Sequence, residues 1–551
     1  MEVATEPAPA APPGTSAAPG RSWLIPLLVL IGGMFMSLLD ISIVNVAIPT
    51  MQRDFGATTE DIQWVSTAFT LGLGVVVPLS GWLGDRLGLT KVYLGCLIGF
   101  AAASALCGLA WNLGSMVAFR ILQAVPGGIL PVVTMSMIYV IVPREKMGSA
   151  MGLFGLGVVF GPATGPTLGG YLVEYVNWRL IFYINVPVAV LAAVAAYFLI
   201  PKMAPTTSRR FDWWGFLTAA AGLFALLLAF SEGESWGWGS YRILMLIVGA
   251  VLLLALFVVI ELELDEPLID LRVFTNWMFV NSLLLIMVLI VGLFGVLFYL
   301  PLFMQASQGI QPLRTGLILL PEALVMGVLM PIAGQLYDRL GPRWPGVVGL
   351  AIAAWGGFLL TGINPDMTEG DVILWTCIRA FGNGLAMMPI MTAGMSAVPP
   401  TLTTSGSLMN NVAQRVASSL GLAALTVVAS GQGSQLMADR SALVPAHDPR
   451  LSANGISQQD LTGLYGYYQK LQVDVTAHAY SDVFLIAAVL TTIGIFLAAL
   501  MKKPPVPDET AAHPAAPEPA ATPDPTATAA QPIATDAAVD GAARTEQRVP
   551  G

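Results

Sequence analysis

The sequence predicts an all-α, polytopic membrane protein of fourteen spanning helices, and three observations carry that prediction. Hydrophobic residues make up 56% of the 551 and charged residues only 11%, against about 25% charged in a soluble globular chain. The mean hydropathy is +0.73. One segment of eleven residues recurs in the second part of the chain. Together these exclude an ordinary soluble enzyme, a disordered protein, a disulfide scaffold and a nucleic-acid binder, whose composition would be basic.

A bilayer core of ~30 Å takes ~20 apolar residues of helix. Runs of that kind lie at 23–50, 61–82, 91–111, 115–140, 147–171, 179–200, 212–230, 242–262, 277–303, 312–336, 344–363, 371–397, 405–430 and 479–501. The first run is too long for the core of a signal peptide, and the segment before it lacks a basic start. Fourteen spans rather than twelve rests on the two short runs at 212–230 and 242–262. Residues 1–20 and 504–551 are Ala/Pro/Thr-rich, cannot bury a core, and are expected to be disordered. These tails hold most of the net charge of −9: Glu2 and Glu6 give −2 and residues 504–551 give −5, which leaves −2 for 21–503. The acidity therefore says nothing about cargo. Cys96, Cys107 and Cys377 all sit in apolar runs, so the spacing implies neither a disulfide framework nor a metal site.

Orientation follows from the basic residues beside the spans. With a cytoplasmic N-terminus the inner flanks hold thirteen: Arg21, Arg86, Lys91, Arg144, Lys146, Lys202, Arg209, Arg210, Arg272, Arg339, Arg343, Lys502 and Lys503. The outer flanks hold Arg53, Arg179, Arg242 and Arg314, with Arg440, Arg450 and Lys470 in a loop at 431–478. That loop, carrying Tyr465, Tyr467 and Tyr468, reads as a small cap, a partner surface or a plain linker. Both ends then face the cytoplasm.

Residues 78–88 (PLSGWLGDRLG) and 331–341 (PIAGQLYDRLG) share seven of eleven positions, each after an even-numbered span on its inner side. An intramembrane arginine follows each, Arg120 after Asp85 and Arg379 after Asp338. The chain thus divides into a tail (1–20), a six-helix half (21–200), two inserted helices (201–270), a second six-helix half (271–503) and a tail (504–551). Such duplication points to a secondary transporter whose halves rock about a midplane site. The chain contains no GxxxxGK[ST] phosphate loop to suggest ATP as the driving force.

Five ionisable residues lie deep in apolar runs: Asp40, Arg120, Glu322, Arg379 and Arg415. Each is expensive to place there alone and is a candidate functional residue by default. Counting residues from the outer ends puts Asp40 and Glu322 ~15 Å deep, Arg120 ~8 Å and Arg379 ~12 Å. A buried carboxylate beside an arginine is balanced between desolvation and attraction, which suits a group that takes up and releases a proton. Asn45 and Gln123 extend the same polar network. Gly161, Gly165 and Gly169 recur every four residues on one span, a strip where another backbone can approach. Pro162 and Pro166 bend that span, and with Gly170 the strip reads as a hinge or seal between halves. In the inner loops Gly81 and Gly88 permit a tight turn, while Asp85, Arg86, Lys91, Asp338 and Arg339 supply charges that cap helices and pair across halves. The 24 methionines suit an adaptable pocket or ordinary lipid-facing filler, and Gln63 and Trp64 read as subfamily positions or interfacial anchors.

These segments together resemble the major facilitator superfamily, and within it the fourteen-helix drug:proton antiporters of the EmrB/QacA type. LLDISIVNVAIP (38–49) is similar to that family's first-helix motif and GWLGDRLGLTK (81–91) to the superfamily's inner-loop motif. RILQAVPGGILP (120–131) resembles its fourth-helix motif, GPATGPTLGG (161–170) its fifth-helix antiporter motif, and NWRLIFYINVP (177–187) and AYSDVF (479–484) are subfamily segments. Leu89 and Thr90 depart from the inner-loop pattern, where basic residues are usual. The resemblance implies the major facilitator fold and an inner loop that latches the outward-facing state. It also implies a proton-coupled antiporter in the cell membrane that exports lipophilic or cationic compounds without a cofactor. The partners implied are cargo, protons, lipid and, in a cell with an outer membrane, a membrane-fusion subunit. A dedicated exporter of a metabolite, antibiotic, siderophore or lipid remains open. An enzyme or sensor is the distant rival: His447, His478 and His513 form no cluster and no nucleophile motif is present.

Overall fold

The computed structural model describes residues 23–205, 211–264, 267–442 and 461–502. The expected disordered tails at 1–20 and 504–551 lie outside the described residues. Helices are α1 (Leu24–Phe55), α2 (Thr59–Val76), α3 (Leu79–Leu87), α4 (Leu89–Gly108), α5 (Leu113–Ile141), α6 (Met147–Tyr175), α7 (Leu180–Tyr183), α8 (Asn185–Leu199), α9 (Trp213–Trp236) and α10 (Tyr241–Glu263). They continue with α11 (Trp277–Ser307), α12 (Pro312–Leu340), α13 (Arg343–Leu360), α14 (Glu369–Ser396), α15 (Thr403–Ala442) and α16 (Leu461–Ala499). Span 2 is α2 and α3 together, bent by 55° where Pro78 withholds an N–H; span 6 is α7 and α8. Counting the bent pair as one, fourteen segments among the described residues are long and apolar enough to cross a bilayer.

The inserted spans α9 and α10 run 24 and 23 residues, so the two short apolar runs are complete membrane helices. Asp212 and Ser240 extend them by capping exposed N–H groups, Asp212 from Gly215 and Ser240 from Ile243. α10 exposes Leu244, Met245, Val248, Val251 and Leu252 in one surface, which lipid and not water can cover. Its partner α9 packs against α10, α2 and α15.

The remaining helices pack chiefly as two sets, α1–α8 and α11–α16. Lipid gives no hydrophobic drive for this association, so close packing of small residues carries it. On α13 and α14 a Cβ at Gly349 would stand 2.7 Å from the Ala386 nitrogen, and one at Gly356 2.5 Å from the Arg379 nitrogen. That backbone-to-backbone crossing fixes where Arg379 emerges. Each repeat ends in a left-handed glycine, Gly88 at φ 85° and Gly341 at φ 77°. Gly88 has a second reason, since a Cβ there would overlap the Met203 carbonyl oxygen. Thr90, the departure from the family pattern, has a use here. Its hydroxyl donates to Pro201 O (2.8 Å) and accepts from Met203 N (3.1 Å), tying the strand of chain after span 6 to this turn.

The outer loop at 431–478 is shorter than the polar composition implied. α15 continues to Ala442 and α16 begins at Leu461, leaving 443–460 outside the described residues. Hydropathy limits how much helix lies in lipid, not how far it continues beyond, and a forty-residue helix rises ~60 Å. Tyr465 and Tyr468 therefore sit exposed on helix rather than on a loop cap; the Tyr467 side chain lies outside the described ones.

Candidate functional site

Two carboxylate–arginine pairs lie within the helix bundle, one in each set of helices. In the first, Arg120 of α5 donates to Asp40 of α1. α5 reaches this position because Gly128 lets its backbone press on Leu73 of α2, where a Cβ would stand 2.7 Å from the Leu73 oxygen. The Arg120 Nε then donates to Val65 O (3.1 Å), and its guanidinium lies 3.8 Å from the centroid of Phe69. Gln123 accepts from Arg120 (2.8 Å), donates to Asp40 Oδ1 (3.1 Å) and donates to Ser104 Oγ (2.7 Å). Asn185 donates to the same Oδ1 (3.0 Å). Asp40 is 0% exposed and Arg120 1%.

Sequence reading missed Asn185 and Ser104. The available signal for Asn185 was an amide inside an apolar run just before Pro187, where the span breaks into α7 and α8. Asn45, by contrast, stays out of the network. It is exposed, and its amide oxygen accepts from Ser66 Oγ (2.9 Å). Five residues from Asp40 is about 140° round the helix, so the two point to different sides.

In the second pair Arg379 of α14 donates to Glu322 of α12. This pair is less saturated. Arg379 has one long further bond, to Gly292 O (3.3 Å), and its buried Nε has no partner among the described residues. Arg415 joins neither pair: it is half-buried on α15, and no ion-pair partner for it occurs among the described residues.

The repeated motifs meet the other half at one end of the molecule. Gly81 of α3 faces Thr404 and Leu408 of α15, at 3.7 and 3.6 Å from a Cβ placed there. Asp85 and Arg86 lie on the last turn of α3, with the Arg86 guanidinium 5.0 Å from the Trp82 centroid. Lys91 and Arg339 are exposed. Asp338 crosses to the start of α6, accepting from Gly148 N (2.9 Å), Ser149 N (3.2 Å) and Ser149 Oγ (3.0 Å). A carboxylate on exposed helix N–H groups is favoured by the helix dipole. Charged hydrogen bonds contribute about 1.5–3 kcal/mol, so Asp338→Asn should loosen this end by about tenfold. The reaction rate of a cysteine placed at buried Met151 with a thiol reagent measures it.

The glycine strip is corrected in its partner. Gly161, Gly165 and Gly169 press on Leu38, Ser42 and Ile43 of α1 in the same set of helices, and nothing lies within 4 Å of a Cβ at Gly170. Pro162 and Pro166 sit within a continuous α6. The contact between halves is made earlier on that helix. A Cβ at Gly152 would stand 2.5 Å from Met330 O, and one at Gly155 2.6 Å from Met330 Sδ. A four-residue spacing names a face but not what it meets.

These features define a helical transporter of the lipid bilayer, with paired charges inside and a closed contact between halves at one end. It belongs to the Major Facilitator Superfamily, whose family model matches residues 30–422, and it is not an enzyme. It is 31% identical over 476 residues to the "Multidrug resistance protein B homolog" of Mycobacterium tuberculosis, covering 85% of this chain and 88% of that one. It is also 31% identical over 455 residues to the "Tetracenomycin C resistance and export protein" of Streptomyces glaucescens, covering 82% and 84%. The solved proton:xylose symporter XylE shares the fold, with a TM-score of 0.54 at 15% identity over 85% of this chain and 94% of that one.

Proposed function

We propose that this transporter exports lipophilic compounds, cations among them, from the cell in exchange for protons. It would do so by alternating access, in the cell (plasma or inner) membrane with both termini cytoplasmic. The observation that carries the reading is the pair of carboxylate–arginine contacts inside the helix bundle, Asp40–Arg120 and Glu322–Arg379. A carboxylate so placed binds a proton when its cation partner moves or its solvation changes, which couples protonation to the arrangement of the halves. Similarity to proteins named for multidrug resistance and antibiotic export supports export as the direction. The basic flanks put the α6–α12 contact on the cytoplasmic side, so this conformation is closed inward. No cofactor enters: the proton gradient supplies the work. A membrane-fusion subunit is a partner only where an outer membrane exists.

The test is transport in proteoliposomes under an imposed proton gradient, with cationic, neutral and anionic compounds. Accumulation that survives collapse of the gradient would overturn proton coupling. Glu322, 14% exposed at its side chain against 0% for Asp40, is the paired acid that cargo can approach. Glu322→Gln should therefore slow permanently charged cations more than neutral compounds, by about tenfold if one charge contact of about 1.4 kcal/mol is lost. Equal loss for all cargo together with poor folding would make the pair purely structural.

A further inference from the structure

The two pairs differ in what surrounds the arginine, and the difference assigns them different work. Asp40 receives three donors, from Arg120, Gln123 and Asn185, and Arg120 is satisfied at Nε and covered by Phe69. Protonating Asp40 would leave Arg120 charged, buried and with nowhere to turn, a state costing several kcal/mol. Glu322 receives donors from Arg379 alone among the described residues. Beside Arg379, between α11, α13, α14 and α16, lies a small cavity whose wall of apolar side chains, Val296 and Phe484 among them, is interrupted by Gly292, Ala353, Gly357, Asn383 and Thr491. Three of these five have at most a methyl to fill it. Two are polar: Asn383 is 5% exposed, and Thr491 Oγ donates to Ala487 O (2.8 Å), leaving its lone pairs free to accept. The buried Nε of Arg379, 4% exposed as a residue, has no partner among the described residues although the group lines this cavity. A water is stable in a space of about its own volume with two to four polar partners.

Building on the proton-exchange reading above, we propose that this cavity is a water site that solvates Arg379 when it leaves Glu322. Glu322 is then the carboxyl that gains and loses the transported proton, while Asp40 keeps its charge throughout. The step balances: the Glu322 carboxylate binds one proton from the outer side, Arg379 stays protonated and turns to water, and the proton leaves when the pair re-forms.

The experiment follows proton release from the purified transporter in proteoliposomes, with a pH dye, on adding tetraphenylphosphonium. Thr491→Val, nearly isosteric, and Asn383→Leu strip the cavity of its polar groups. Each should lower the pH midpoint of release by about one unit, a tenfold loss of proton affinity, without lowering the melting temperature. Asn383→Ser keeps room and a hydroxyl, and should keep the normal midpoint. Normal midpoints in both Thr491→Val and Asn383→Leu overturn the water site alone. No release from the unaltered transporter overturns the exchange reading, and the water site with it.

Discussion

A leucine at Gly334 will stop turnover while leaving each half folded. A Cβ there overlaps the Gly148 carbonyl oxygen and stands 2.6 Å from its carbonyl carbon. Backbone meets backbone, so no flexible side chain can yield. Because α6 and α12 belong to different halves, the overlap is relieved by parting them at the motif end, not by unfolding either. Overpacking alone costs about 1–3 kcal/mol, and a backbone overlap costs more, so uphill transport should fall by at least about tenfold. The buried Met151 position, carried as a cysteine, should meanwhile react faster with a thiol reagent. The melting temperature should barely change. Leucine at Gly165 makes the contrast. Its Cβ overlaps Ser42 Oγ and stands 2.9 Å from Ile43 N, inside one half. That variant should lose folded protein. Normal transport by Gly334→Leu would remove this crossing from the cycle.

What the sequence made legible is what lipid itself dictates. Apolar runs give spans, because an unpaired backbone cannot cross a bilayer except as helix. Depth put an arginine within reach of each acid but did not choose between Arg379 and Arg415 for Glu322, which the structure pairs with Arg379. Gln123, three residues after Arg120, shares its face and duly joins it. Asn45 did not, because five residues is a turn and a half. Facing is what the one-dimensional pattern withholds. The glycine strip of α6 was plain, yet its partner is α1 and not the opposite half. Asn185 was hidden for a related reason: the break between α7 and α8 just before Pro187 does not say which way the amide turns, and one amide in an apolar run carries no periodicity.

Asp40→Asn will abolish accumulation of cargo against a gradient, and the reason is the arginine it strands. Asparagine keeps an oxygen for Gln123 and Asn185 to donate to, but removes the carboxylate paired with Arg120. Breaking one side of a buried ion pair costs about 3–5 kcal/mol, so the melting temperature should fall as well. Replacing both partners separates the two effects. Asp40→Leu with Arg120→Met leaves no stranded charge, and apolar replacement of a buried pair is often neutral or stabilising by about 1–4 kcal/mol. That double variant should regain stability yet not transport, since the charges that tie α1 to α5 through the cycle are gone. Transport by the double variant would show that the first pair is dispensable. Proton release then decides the roles of the two acids. In folded Asp40→Asn protein, tetraphenylphosphonium should still displace a proton, because Glu322 and its cavity are untouched; in Glu322→Gln it should not. The opposite pattern, release lost at Asp40 and kept at Glu322, would make the saturated network around Asp40 the site of exchange and Glu322 the fixed charge.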